Sequence, residues 1–185
     1  ALTVGDPTLP GTDVGPVIDA DAQNKILGLI QTATKEGCTL ELSLPVPPTA
    51  KHAAGLPFVG PAIFSGVTRE HTIAKEEIFG PVLAIMHASS FEEALDIANE
   101  PTYKLTGGVF TRKPTHIDLA KKDFRVGNLY INRGITGALV ARQPFGGFGM
   151  SGGGTKAGGN EYLLHFVEPR TSCENTMRRG FAPEL

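Results

Sequence analysis

The chain has 185 residues, 41% of them hydrophobic and 19% charged, with a formal net charge of −2. That composition fits an ordinary globular protein with one sizeable core, and it supplies no basic surface to draw the chain to nucleic acid or an anionic membrane. Two cysteines cannot build a disulfide framework, which fits a reducing compartment, and no apolar run approaches the roughly 20 residues of a membrane span.

The chain begins without methionine inside a turn-rich stretch, VGDPTLPGTDVGP, and carries no signal-peptide pattern there. We expect a piece of a larger protein. Residues 19–37 then predict a helix that starts on an Asp19 cap and stops at Gly37, with Ile26, Leu27, Ile30 and Ala33 on one face. CTLELSL (38–44) alternates like a half-buried strand, and FVGPAIFSGV (58–67) reads as a strand broken at Pro61. PVLAIMHA (81–88) is continuously apolar, the mark of a strand covered on both faces. Ser90 and Glu93 form a capping box for the helix FEEALDIANE. LTGGVFT (105–111) is a short strand. Pro114 and Thr115 open a helix running through HIDLAKKDFRV to Gly127, and GNLYIN (127–132) is a strand again. Alternation at this spacing predicts parallel βαβ units and an α/β fold. EYLLHFVEPRTSCENTM (161–177) reads as one or two long strands with no helix to cover them, so they need a partner edge elsewhere or in a second subunit.

Residues 132–154 hold a literal G-x-G-x-x-G at Gly147, Gly149 and Gly152. A dinucleotide-binding version must leave a strand, enter a helix, and meet an acidic residue about 20 positions later. Here the glycines follow RQPF and run into SGGGTKAGGN, which cannot begin a stable helix. The stretch is a glycine-rich loop suited to close backbone approach and positive φ, and not a phosphate cradle.

KEEIFGPV (75–82), followed by QPFGGFGMSG (143–152), resembles the C-terminal half of an NAD(P)-dependent aldehyde dehydrogenase. GDP and GTDVGPVID near the start resemble the segment after that family's nucleophile loop, so the likeness covers about the first 170 residues in order. A narrower likeness lies in YINRGITGALVARQPFGGFG, which resembles the branch that oxidises glutamate γ-semialdehyde, the Δ1-pyrroline-5-carboxylate dehydrogenases. The tail from Glu168 resembles the end of the bifunctional proline utilisation A enzymes. The fold this implies is the aldehyde dehydrogenase catalytic fold, a mostly parallel sheet with flanking helices. Residues 1–154 would form part of that domain, and 155–185 the oligomerisation strands and tail.

The resemblance also implies roles. Glu77 matches the glutamate that accepts hydrogen bonds from the nicotinamide ribose, a task for an acceptor-only group. Phe79 matches the aromatic residue beside the nicotinamide. The loop at Gly137 and Ala138 matches the one whose N–H groups hold the semialdehyde carboxylate, as an anion nest would, and Phe145 matches the aromatic residue against the aliphatic chain. Read without the family, Glu76 and Glu77 are a solvated pair, while Phe79 and Phe145 are core residues. Arg133 and Arg142 lie nearby, but nothing in the spacing gives their direction.

One element of the implied mechanism is missing. The family's chemistry needs a thiolate nucleophile, and neither Cys38, at a strand start, nor Cys173, in the terminal segment, sits in a suitable loop. The nucleophile and the nucleotide domain are expected upstream, so this chain would carry half of an active site. Its cofactor would be NAD, with NADP the variant, and its substrate a small aldehyde bearing a carboxylate. We expect no metal, because the five histidines show no ligand spacing with acids or cysteines. Homo-oligomers would form through the terminal strands. The compartment would be a bacterial cytoplasm, or the mitochondrial matrix in a eukaryote. Two alternatives stand beside this: an aldehyde dehydrogenase of another substrate class, and a non-catalytic module kept for assembly.

Overall fold

A computed structural model describes residues 2–47, 55–136, 139 and 142–175. The chain divides into two compact units, Ala1–Pro101 and Thr102–Leu185.

In the first unit the opening turn closes on itself. Val4 bridges Val14, and the Asp6 carboxylate accepts from the Thr8 N–H at 2.9 Å and hydroxyl at 2.8 Å, bonds that hold its carboxyl below the usual range. Helix α1 (Ala20–Lys35) follows, with Asp19 Oδ1 accepting from the Ala22 N–H at 2.7 Å. Gly37 leaves the helix at φ +93°. Ile26 and Ala33 are fully buried and Ile30 packs beside the core, but Leu27 is 41% exposed. The inward stripe is therefore narrower than the sequence predicts. Leu27 sits about 100° around the helix from Ile26, past the edge of that stripe.

The sheet of this unit has the order β1 (Thr39–Ser43), β2 (Ala62–Ser65), β3 (Val82–Ala84), with β1 antiparallel and β3 parallel to β2. Only β2 shows a clear inward face. Ala62 and Phe64 are buried, and Phe64 joins Ala33, Cys38, Val67 and Ile73 in the core. Two expectations fail here. All five residues of the edge strand β1 are exposed, and Leu83 in β3 is 55% exposed, where coverage of both faces was expected. Leu83 is exposed because one sheet face is uncovered, and on it Leu42, Ile63 and Leu83 line an open apolar groove of about 600 Å³; β1 pairs along one side only, as the edge strand.

Helix α2 (Thr72–Lys75) is capped across space by Glu36, whose carboxylate accepts from the Thr72 hydroxyl at 2.5 Å and N–H at 2.8 Å. Those bonds depress its carboxyl. Helix α3 (Phe91–Asn99) starts where the capping box places it, with Ser90 Oγ accepting from the Glu93 N–H at 3.0 Å. The return bond reaches one residue further back, because Glu93 accepts from the Ser89 N–H and hydroxyl, both at 2.6 Å.

The second unit is built on a βαβ motif. Strand β4 (Tyr103–Lys104) precedes β5 (Thr106–Val109), helix α4 (Pro114–Asp123) and β6 (Asn128–Ile131), and β5 and β6 pair in parallel, as the alternation predicts. Helix α4 ends at Asp123, three residues short of Val126. Phe124 turns extended and lays its ring over Gly107 in β5, where a β-carbon would lie 2.5 Å from the Phe124 Cζ. Packing on a bare glycine ends the helix. A short strand β7 (Phe148–Gly149) pairs antiparallel with β4.

The terminal segment also departs from expectation. Residues Asn160–Phe166 form a 3₁₀ helix, and 167–175 hold no regular element, where strands were predicted. A strand must pair along its edge, and among the described residues none pairs with this segment. It bonds locally instead: the Tyr162 N–H reaches Gly159 O at 3.1 Å, and the Tyr162 ring meets His165 and Phe166 edge-on at 5.8 and 5.6 Å.

Candidate active site

Glu77 and Phe79 share the loop 76–81 between α2 and β3. Phe79 has φ +58° and is 83% exposed. A bulky side chain in the left-handed region costs roughly 1–3 kcal/mol and persists only where its surroundings dictate it. The flanks of the loop supply that constraint. Lys25 Nζ on α1 donates to the Glu77 carbonyl at 3.1 Å. Gly80 packs so closely on the buried Ile26 that a β-carbon would lie 2.7 Å from its Cδ1. Beyond it, the Ala62 N–H donates to Pro81 O at 3.0 Å. The loop is clamped at both ends and presents an exposed carboxylate and an outward aromatic ring. Chemically the pair can accept hydrogen bonds from hydroxyls and offer a flat apolar wall. Phe79 is not a core residue.

In the second unit, Phe145 is half-buried and paired with Ala157 through two backbone bonds of 2.9 and 3.0 Å. Beside it opens a cleft of about 460 Å³ lined by Asn128, Tyr130, Arg133, Gln143, Pro144 and Lys156. The Arg133 guanidinium lies over the Tyr130 ring at 4.8 Å, and Gln143 Nε2 donates to the Tyr130 hydroxyl at 3.1 Å. The direction of Arg133, open from sequence, is into this cleft. Lys156 Nζ donates to Gly146 O at 2.9 Å and lies 4.6 Å from the Phe148 ring centroid. Gly137 and Ala138 lie outside the described residues.

The glycines of the G-x-G-x-x-G answer to packing. Gly149 has φ +58° and lies where a β-carbon would come within 2.7 Å of Thr102 O, and Gly152 has φ +134°. The two-residue strand β7 lies inside this stretch and residues 153–159 after it hold no helix, so the strand-to-helix geometry that holds a pyrophosphate is absent from it.

Residues 1–172 match the sequence profile of the aldehyde dehydrogenase family. The chain belongs to that family. Over 173 residues, 94% of its length, the chain is 44% identical to the 1-pyrroline-5-carboxylate dehydrogenase of Bacillus subtilis (strain 168). The structure of proline utilization A from Bdellovibrio bacteriovorus superposes on all of it with a TM-score of 0.85 at 46% identity. That of 1-pyrroline-5-carboxylate dehydrogenase from Thermus with bound NAD superposes on 90% of it at 0.79 and 44% identity, covering 31% of that protein. The chain spans 32% of the length of the Bacillus relative and 18% of the Bdellovibrio protein.

Neither cysteine of the chain is placed as a nucleophile. Cys38 is buried, with Sγ 3.3 Å from His71 Nδ1. That ring nitrogen already accepts from the Thr68 N–H at 3.0 Å, so it is not placed as a free base for the thiol. Burial pushes the thiol up from its ordinary value, against the thiolate that attack requires. Cys173 is exposed in the irregular terminal segment, which is not the strand expected for it. The sequence reading missed Lys25 and Lys156. Each braces a site loop through a main-chain carbonyl, from 52 and 10 residues away. A lysine bound to a carbonyl leaves no pattern in sequence.

Proposed function

We propose that this chain is part of an NAD-dependent dehydrogenase that oxidises glutamate γ-semialdehyde, the open form of Δ1-pyrroline-5-carboxylate, to glutamate. The observation that carries this is the 44–46% identity, across 94% of the chain, to proteins named 1-pyrroline-5-carboxylate dehydrogenase. The Thermus relative bound to NAD supports that cofactor, with NADP the variant, and the exposed Glu77 and Phe79 fit it. A bound nicotinamide would supply the hydride acceptor for the adduct of the aldehyde with the nucleophile. Glu77 accepts hydrogen bonds from the ribose hydroxyls and Phe79 limits motion of the ring. Gly137 and Ala138 hold the substrate carboxylate through their N–H groups, and Phe145 lines its aliphatic chain and excludes water. The nucleophilic cysteine belongs to the part of the enzyme outside these residues.

The same reading assigns the terminal segment, residues 155–185, to assembly between subunits. Leu163, Leu164, Phe166 and Val167 are 60–70% exposed in the isolated chain, an apolar run that favours a partner. The named relatives are bacterial, which supports a cytoplasmic setting. Among the described residues no helix is long and apolar enough to cross a membrane. The likeness to the Bdellovibrio protein over the whole chain supports a proline utilisation A enzyme as the parent.

Two measurements test the reading. The 185-residue chain alone is expected to show no oxidation of glutamate semialdehyde with NAD, and turnover by a purified sample would reject it. In the enzyme of full family length, Glu77→Gln keeps shape but loses charge-assisted acceptance, about 1.5–3 kcal/mol per bond. The cost should fall on kcat or on the NAD KM, with the aldehyde KM little changed. An unaltered NAD profile removes Glu77 from the site.

A further inference from the structure

Phe145 is fixed from both sides by a single side chain. Asn128, the first residue of β6, donates from Nδ2 to the Pro144 carbonyl at 3.0 Å. Its Oδ1 accepts from the Gly146 N–H at 3.1 Å. The two atoms cannot be exchanged, because Pro144 offers only a carbonyl and Gly146 an N–H. One planar amide therefore spans the two peptide groups that bracket Phe145. The Ala157 pairing fixes the backbone of Phe145 itself, so together four hydrogen bonds hold this residue. Asn128 is carried by β6, whose parallel pairing with β5 is part of the framework of the unit. The amide thus ties a loop residue to a sheet strand, the arrangement that holds a functional side chain most accurately.

We propose that Asn128 is a positioning residue for substrate: it sets the Phe145 ring against the aliphatic chain of the aldehyde without touching the reacting atoms. The proposal rests on the reading of Phe145 as a substrate contact. It follows that Asn128 governs affinity for the aldehyde and not for the cofactor, and that it acts only through Phe145.

The test is a double-mutant cycle in the enzyme of full family length, with KM for glutamate γ-semialdehyde and for NAD measured on Asn128→Ala, Phe145→Ala and the pair. Asn128→Ala should raise the aldehyde KM about tenfold and leave the NAD KM within about twofold, since a misplacement of about 1 Å can cost up to about a hundredfold and the Ala157 pairing still holds part of the geometry. In the Phe145→Ala background the same change should have less than about a twofold effect, because groups that act through one another are not additive. Equal effects in both backgrounds overturn the proposal, as does an unchanged aldehyde KM for Asn128→Ala when Phe145→Ala raises it. If Phe145→Ala is itself silent, the substrate reading falls and the proposal falls with it. Should Asn128→Ala fail to fold, Asn128→Asp takes its place in the cycle. It keeps the acceptor for the Gly146 N–H and loses the donor to Pro144, and the same outcomes decide.

Discussion

Replacing Gly127 with alanine should destabilise the protein by about 3 kcal/mol, the upper range for forced overpacking. The β-carbon would lie 2.0 Å from Gly146 O and 2.5 Å from Gly147 Cα. Both atoms are main chain, so no side-chain rotation relieves the clash. The Gly127 N–H also donates to Lys104 O at 2.9 Å, so a retreat on this side breaks the link to β4. At roughly 2–4 °C per kcal/mol for a chain of this size, the melting temperature should fall by about 6–12 °C. Gly153→Ala is the control, because its β-carbon would meet nothing within 4 Å and the change should stay within about 0.5 kcal/mol. Equal melting temperatures for the two variants would mean that the glycine-rich loop does not close on the start of β6 in solution. The substrate loop would then lack the framework described above.

In the enzyme of full family length, proline at position 138 should lower kcat/KM for glutamate semialdehyde by about ten- to 150-fold, the worth of one charge-assisted bond of about 1.5–3 kcal/mol. On the proposed reading, the N–H of Ala138 is one of two donors to the substrate carboxylate, and proline deletes it while fixing φ. Ala138→Ser keeps the donor and should change little. An aldehyde of equal length without the carboxylate should lose little rate with either variant. That contrast separates loss of the anchor from general loop damage, which would depress both aldehydes alike. Folding is checked by melting temperature. A folded Ala138→Pro enzyme that still prefers the carboxylated aldehyde would remove this loop from the site.

The features legible in sequence are those whose causes are local. Asp19 and Ser90 cap their helices by reaching N–H groups three residues on, and Gly37 ends α1 because its own backbone adopts positive φ. The βαβ order of β5, α4 and β6 follows from the same short-range patterns. Motif residues were readable as well, since IFGPV and QPFGG mark the family whatever surrounds them. Tertiary contacts decided the rest. Burial of Ile26 and exposure of Leu27 depend on what each faces, and the end of α4 depends on a bare glycine in another strand. The terminal segment is a 3₁₀ helix because a strand requires an edge that sequence patterning cannot supply. At the candidate site, sequence named Glu77, Phe79 and Phe145, but not what holds them. The strained backbone of Phe79 is maintained by α1, and Phe145 by an amide 17 residues earlier in sequence. Each of these supports is a contact between residues distant along the chain. No local preference encodes such a contact, and only folding brings the partners within reach.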